Sequence, residues 1–244
     1  RYRLTGLARN SDSMVDYINN DRTSLAGALE WQISDATLIT FLASYSRTDS
    51  PYDVGKPLEG TLLPNPNGRI SRTRFVGEPD FDRYVTKGAT LGYLLEHKLN
   101  DDWKVRQNLL TYKQRADNQY AGVDTRVDAS DPALATRYAL TRYDTDKGLA
   151  VDNQLLGKLR HGSFEHTLLF GMDAQRNTTS QSSWFKTVSG IDVYAPVYGN
   201  FTPPSESELA RQPGVRQRQM GFYAQDQIRW NRWTYFAGPP CEAI

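Results

Sequence analysis

The sequence lacks residues and segments on which several classes of protein depend. It has one cysteine, Cys241, and three histidines among 244 residues, which excludes a disulfide-linked scaffold and a cysteine-rich zinc site. No run reaches the roughly 18–20 consecutive apolar residues of a membrane-spanning helix. The net charge of +1 gives the chain no general attraction for nucleic acid, so we predict no nucleic-acid partner.

The common catalytic motifs are missing as well. The sequence contains no G-x-S-x-G nucleophile elbow, no H-E-x-x-H zinc motif, no Walker loop and no dinucleotide fingerprint. His97, His161 and His166 lie in or near predicted turns, and no partner ligands share their strands. These features predict no metal site.

The clearest positive signal is an alternation of apolar and polar residues. Met220, Phe222 and Ala224 fall on one parity, whereas Tyr223 and several glutamines fall on the other. Because successive side chains of a strand point to opposite faces, such a segment has one apolar face and one hydrogen-bonding face. The same alternation predicts about nine strands, which cover residues 2–8, 22–33, 37–45, 84–99, 103–112, 149–159, 164–175, 215–230 and 233–236.

The connections between these strands alternate sharply in length. Tight polar turns near residues 35, 101, 162 and 231 alternate with long loops, which are predicted at 10–21, 49–83, 115–147 and 178–214, with a short helix at 131–135. Loops of this length are unusual in a compact soluble domain, but they are typical of one end of an outer-membrane barrel. We therefore predict an all-β fold, an antiparallel up-and-down meander that forms part of a transmembrane β-barrel.

Aromatic residues lie in two groups. Four tryptophans flank the short turns, as an aromatic girdle at a bilayer boundary would, although core aromatics at strand ends have the same positions. A second group lies in or beside the long loops: Tyr52, Phe81, Tyr120, Trp184, Phe185, Tyr194, Tyr198 and Phe201. Rigid rings suit recognition of a bulky ligand, and the alternative is that they form small cores within the loops.

Several segments resemble, in order and with similar spacing, the barrel of TonB-dependent ferric-siderophore receptors. They are LPNPNGR at 63–69, GEPDFDRY at 77–84, VRQNL at 105–109, HTLLFGMD at 166–173 and GFYAQDQ at 221–227. The nearest resemblance is to hydroxamate receptors of the ferrichrome type, and it implies a plugged barrel of about 22 strands. It covers the first half of such a barrel, over residues 1–238. The plug, the TonB box and the C-terminal strands are missing, and residues 239–244 are expected to be an aberrant tail.

The resemblance implies a TonB-energised receptor and transporter of ferric siderophores in the outer membrane of a Gram-negative bacterium, and not an enzyme. Its implied partners are the siderophore, the TonB complex acting through the plug, and outer-membrane lipid or lipopolysaccharide, with a monomeric full-length form. Iron enters only as part of the ligand, so no cofactor is expected. The alternatives are a receptor for cobalamin or heme, a porin-like channel, and a soluble carbohydrate-binding β-protein.

The same resemblance implies the site. Tyr120 and Phe185 match aromatic positions that line the hydroxamate pocket, and Tyr52 and Trp184 are weaker candidates for ligand binding. Other pocket aromatics of the family are absent here, where Asp53, Gly55 and Gly122 stand instead. We expect Tyr120 and Phe185 to lie beyond the ends of their strands, in inward-folded loops that bring both rings over one cavity.

Overall fold

The computed structural model describes residues 1–205 and 209–238, and these residues form one antiparallel sheet of nine strands in sequence order. The strands are β1 (Tyr2–Arg9), β2 (Asp21–Ser34), β3 (Thr37–Asp49), β4 (Arg83–Lys98), β5 (Trp103–Val127), β6 (Leu134–His161), β7 (Phe164–Asp192), β8 (Leu209–Trp230) and β9 (Trp233–Ala237). The predicted all-β meander is confirmed. Among the described residues there is no helix with the length and apolarity needed to cross a bilayer. The predicted tail at 239–244, with Cys241, lies outside the described residues.

The sheet has one apolar and one polar face, as the alternation predicts. On the apolar face, Phe222 and Met220 expose 73% and 66% of their surface. On the polar face, the Tyr223 hydroxyl donates to Asp152 Oδ1 at 2.7 Å, and Gln154 Nε2 donates to Asp152 Oδ2 at 2.8 Å. In a closed barrel the apolar face contacts lipid and the polar face lines the interior.

The central strands are much longer than predicted. Residues 115–127, 134–147, 178–192 and 209–214 were expected in loops, but they belong to β5, β6, β7 and β8, respectively. The prediction fails because these extensions have polar residues on both parities, as in the segment 113–119. A strand that has water on both faces loses the hydropathy alternation, while its backbone ladder to the neighbouring strands continues.

The connection between β5 and β6 is a short turn, not the expected helix. Asp131 organises it, because its side chain accepts a hydrogen bond from the Ala133 backbone N–H at 3.0 Å and its carbonyl accepts one from Leu134 N–H at 3.0 Å. Such side-chain bonds to the backbone two residues on favour turns. The remaining long connections, described over residues 10–20, 50–82 and 193–205, lie at the same end of the sheet as this turn, and we call this end the loop end.

A small core covers part of the sheet at the loop end. It comprises Ile70, Val76, Val123, Ala135, Ile191 and Val193, with Tyr194 and Tyr198 packed against it. The loop aromatics Phe81 and Phe201 also contact each other, with ring centroids 4.8 Å apart. Self-packing of the loops, which was one of the two interpretations of these rings, therefore holds for Phe81, Tyr194, Tyr198 and Phe201.

A buried ion pair joins this core to the sheet. Arg137 on β6 donates from Nη1 to Glu78 Oε1 at 2.8 Å, and their side chains are 1% and 4% exposed. Arg137 Nε donates to the Ser189 carbonyl, and Gly199 N–H donates to Glu78 Oε2. These bonds hold the 50–82 connection and the start of the β7–β8 connection against the β6–β7 hairpin.

Candidate functional site

Five aromatic rings form a continuous row at the loop end, which we call the aromatic ladder: Tyr84, Tyr52, Tyr120, Tyr138 and Phe185. Tyr52 stacks on Tyr84 with centroids 4.6 Å apart and meets Tyr120 edge-on at 6.1 Å. Tyr138 meets Tyr120 edge-on at 6.1 Å and stacks on Phe185 at 5.5 Å. Offset stacked and edge-to-face pairs at these distances are favourable arrangements of aromatic rings. The ladder thus crosses β4, β5, β6 and β7.

Strand register places the ladder on the polar face. Tyr120 lies directly opposite Leu140, which lies directly opposite Phe185, and residues paired in this way point to the same face. Tyr138 and Asp152 are both even-numbered residues of β6, and the pairing with both neighbours is unbroken between them. The rings therefore point to the side that lines the interior of a closed barrel.

The expected location of Tyr120 and Phe185 in inward-folded loops is wrong. Both residues lie within regular strands, eight or more residues beyond the predicted strand ends at 112 and 175. Their convergence results from pairing with β6, not from loop folding. Tyr52 does lie in a loop and joins the ladder. The later part of the same connection is held by the ion pair between Glu78 and Arg137. Arg137 is adjacent to Tyr138 in β6, so its side chain points to the opposite face of the sheet.

Trp184 does not join the other candidates. It is adjacent to Phe185 in β7, so its side chain points to the opposite face. There it contacts Tyr143 edge-on, with centroids 5.5 Å apart. The structure therefore brings together three of the four candidate residues and places Trp184 on the other side of the sheet.

Beside the ladder lies a cleft of about 570 Å³, lined by Tyr52, Asp53, Val54, Gly55, Asn118, Tyr120 and Tyr138. The side-chain oxygen of Asn118 is buried there and has no hydrogen-bond partner in the described structure. Aromatic walls with a few oriented polar groups are typical of small-molecule sites.

Two tyrosines of the cleft, Tyr52 and Tyr120, are hydrogen-bond donors at neutral pH. Burial, aided by the hydrogen bond with Tyr84, raises the pKa of Tyr52 to about 12. The pKa of Tyr120 is also raised, mainly by burial and then by the neighbouring Tyr138, while the positive charge of Arg142 lowers it in part. Both phenols therefore keep their protons near pH 7 and can donate to a ligand oxygen.

Sequence reasoning missed Tyr84, Tyr138 and Asn118. Tyr84 was assigned to the start of a strand, and the other two were assigned to a loop. Tyr138 has the parity of Asp152 and Gln154, so extending the predicted strand 149–159 back across 134–147 would have put Tyr138 on the polar face.

Comparison with known proteins decides the family. A family model described as TonB dependent receptor-like, beta-barrel, matches residues 30–238. The chain belongs to this receptor family. It is 32% identical to a ferrioxamine B receptor of Salmonella typhimurium over 97% of this chain and 33% of that protein. It is 31% identical to the ferrichrome outer membrane transporter/phage receptor of Escherichia coli K12 over 95% of this chain and 34% of that protein.

Solved structures give the same fold. The ferripyoverdine receptor of Pseudomonas aeruginosa matches with a TM-score of 0.78 and 18% identity over 98% of this chain and 32% of its own. The ferric-catecholate import receptor Fiu of E. coli matches with a TM-score of 0.73 and 20% identity, over 95% of this chain and 38% of its own. The chain spans about a third of the length of the curated relatives it matches.

Family membership confirms several predictions from the sequence. A TonB-dependent receptor barrel lies in the outer membrane of Gram-negative bacteria and is a receptor, not an enzyme. The soluble carbohydrate-binding alternative is therefore rejected. Within residues 1–205 and 209–238, no cluster of three or more His, Cys, Asp or Glu side chains has the arrangement of a metal site.

Proposed function

We propose that this chain is part of a receptor that takes up ferric siderophores of the hydroxamate type across the outer membrane, energised by TonB. The observation that carries the proposal is the aromatic ladder, which lies on the polar face at the loop end, where an external ligand would enter. The names of the relatives at 32% and 31% identity, which are ferrioxamine B and ferrichrome receptors, support this ligand class.

The chemistry of the cleft suits such a ligand. A ferric hydroxamate is compact and nearly neutral, and its iron is already fully coordinated, so the receptor needs apolar walls and hydrogen-bond donors rather than metal ligands. Tyr52 and Tyr120 supply both. In this proposal iron is cargo, and the protein has no cofactor of its own.

The ligand differs in detail from ferrichrome in this proposal. The resemblance expects aromatic residues near Asp53 and Gly55, and these two positions line the cleft without a ring. A wider cleft at this side would accept a linear hydroxamate such as ferrioxamine B. Cobalamin and heme are the competing ligands that a binding test must include.

The test is ligand binding by the receptor expressed from its own gene in outer membranes. Tyr120→Ala and Phe185→Ala should each weaken binding of ferrioxamine B by about 5–150-fold, or about 1–3 kcal/mol, because each removes a ring from the wall of the site. The effect at Phe185 should lie at the lower end, since this side chain is 55% exposed.

The matched control is Tyr143→Ala, which removes a ring from the opposite face of β6 and should leave the affinity unchanged. Trp184→Ala should also leave it unchanged. Binding of heme or cobalamin in preference to both ferric hydroxamates would refute the proposed ligand class.

We further propose an anionic lipid partner for the apolar face. Lys113 and Lys147 lie directly opposite each other on β5 and β6, and Arg176 pairs with Leu149 two residues further along β6. These cations and Leu91 line a groove of about 670 Å³. Like charges placed opposite each other destabilise a sheet unless an anion lies between them. The phosphates of lipopolysaccharide, with acyl chains along Leu91 and Leu149, provide that anion.

Lipid phosphate that copurifies with the receptor tests this partner. The triple substitution Lys113→Gln, Lys147→Gln and Arg176→Gln should reduce the lipopolysaccharide bound per receptor several-fold, because phosphate contacts are electrostatic. Lys158→Gln, which removes a lysine from the polar face, is the control and should have no effect. Equal retention of lipopolysaccharide in the triple variant would contradict the proposal.

The receptor is proposed to act as a monomer, with TonB acting through its plug.

A further inference from the structure

Gly122 leaves a gap in the site that a residue of the neighbouring strand fills. The resemblance expects a pocket tyrosine at this position, where the chain has no side chain. A Cβ atom built on Gly122 would lie 2.5 Å from Tyr138 Cζ and 2.7 Å from the Tyr138 hydroxyl oxygen. Tyr138 of β6 lies directly opposite Gly122 of β5. Its ring therefore occupies the space into which a side chain at position 122 would project.

The Tyr138 ring lies between two other rings of the aromatic ladder. Tyr138 contacts both Tyr120, at 6.1 Å, and Phe185, at 5.5 Å. It also lines the cleft together with Tyr52 and Asn118. Without Tyr138, the wall of the cleft would be interrupted between β5 and β7.

This inference rests on the proposed function. We propose that Tyr138 is a ligand-contacting residue of the ferric-hydroxamate site, which supplies from β6 the ring that the family carries on β5 at the position of Gly122. The ring forms the middle of the wall, and its hydroxyl donates a hydrogen bond to a ligand oxygen. The wall of the cleft between β5 and β7 is then aromatic throughout, although Gly122 departs from the family pattern.

A purely structural role for Tyr138 is the competing explanation. Aromatic rings also cover glycines elsewhere in this sheet, as Tyr112 covers Gly148 and Tyr223 covers Gly171. Tyr112 is a matched control, because it is a tyrosine on the same face that covers a glycine of the next strand. It lies eight residues before Tyr120 on β5, roughly 26 Å along the strand. Loss of glycine cover should affect both sites equally, whereas loss of ligand contact should affect only Tyr138.

The experiment measures the equilibrium dissociation constants of ferrioxamine B and ferrichrome, together with the midpoint of thermal unfolding, for the receptor in detergent. Tyr138→Ala should weaken binding of the preferred ligand about 10-fold or more, and Tyr138→Phe should recover most of that loss because it restores the ring. Tyr112→Ala should lower the unfolding midpoint to a similar degree without changing the dissociation constant.

The most direct experiment moves the tyrosine ring from β6 to β5. The double variant Gly122→Tyr with Tyr138→Gly places the tyrosine on β5 and the glycine on β6, and it should bind within about threefold of the wild type, well above Tyr138→Ala. If Tyr138→Ala binds as the wild type while Tyr120→Ala does not, Tyr138 is only a glycine cover, and the proposed function stands. If the wild type binds neither ferric hydroxamate, both the proposed function and the role of Tyr138 are refuted.

Discussion

At the scale of single residues, Asp82 is a buried carboxyl at the loop end, outside the membrane-spanning part of the sheet. Its Oδ1 accepts the Ala121 backbone N–H at 2.8 Å, and its Oδ2 is buried with no hydrogen-bond partner in the described structure. Burial raises the pKa of this carboxyl to about 7, because the hydrogen bond from Ala121 and the charge of Arg137 only partly offset desolvation and the nearby Glu78.

This raised pKa predicts a pH-dependent loop core. The folded state keeps a proton that the unfolded chain releases near pH 4, so the stability contributed by Asp82 is complete below that pH. It declines by an amount on the order of a few kcal/mol as the pH rises to about 7. Amide hydrogen exchange of residues 70–82, corrected for intrinsic rates, should therefore be slower at pH 5 than at pH 8.

Asp82→Asn should remove most of that difference, because asparagine does not titrate and still offers an oxygen to Ala121 N–H. Glu78 and Arg137 are present in both proteins, so any effect of their own is common to both. Parallel pH profiles in the wild type and Asp82→Asn would show that another group controls the loop core.

At the scale of elements, the β5–β6 and β6–β7 hairpins determine where the site lies. Their ladders continue through residues 113–119 and 141–147, where neither face is apolar. Backbone pairing and cross-strand contacts hold these extensions, together with the loop core anchored by Glu78 and Arg137. A buried pair of this kind costs several kcal/mol to break at one partner, so it holds the later part of the 50–82 connection, around Glu78, on the face away from the aromatic ladder.

The element scale also explains which site residues could be foreseen. Tyr120, Phe185 and Tyr52 were identified through the resemblance, and the structure brings their rings into one row. Tyr138 was not, because identifying it requires the extended register of β6, and the water-exposed extension has no period-two hydropathy signal. Trp184 was proposed beside Phe185, although neighbouring residues of a strand point to opposite faces.

At the scale of the whole molecule, the described sheet is open, and β1 and β9 stand at its two edges, each paired on one side. Unpaired backbone groups at a sheet edge are not tolerated in hydrocarbon, so a membrane barrel must be closed. Further strands are therefore needed to close a barrel around this sheet.

We expect that a polypeptide of residues 1–244 alone does not insert stably into a bilayer. Refolded into detergent micelles or vesicles, it should migrate at the same position in gels with and without heating, whereas a closed barrel migrates differently when unheated. Heat-modifiable mobility of the 244-residue chain would contradict this expectation, and the complete receptor, treated in parallel, is the positive control.

The sequence by itself determined the number and order of the strands, the two faces of the sheet within the bilayer, and the tight turns at the end opposite the loop end. These features depend on local properties, because the pleat sends successive side chains to opposite faces and lipid requires one of those faces to be apolar. Only the tertiary structure decided the length of β5, β6 and β7 and the position of Tyr138 between Tyr120 and Phe185. The reason is that register between strands depends on pairing partners distant in sequence, and beyond the bilayer no hydrophobic pattern reports it.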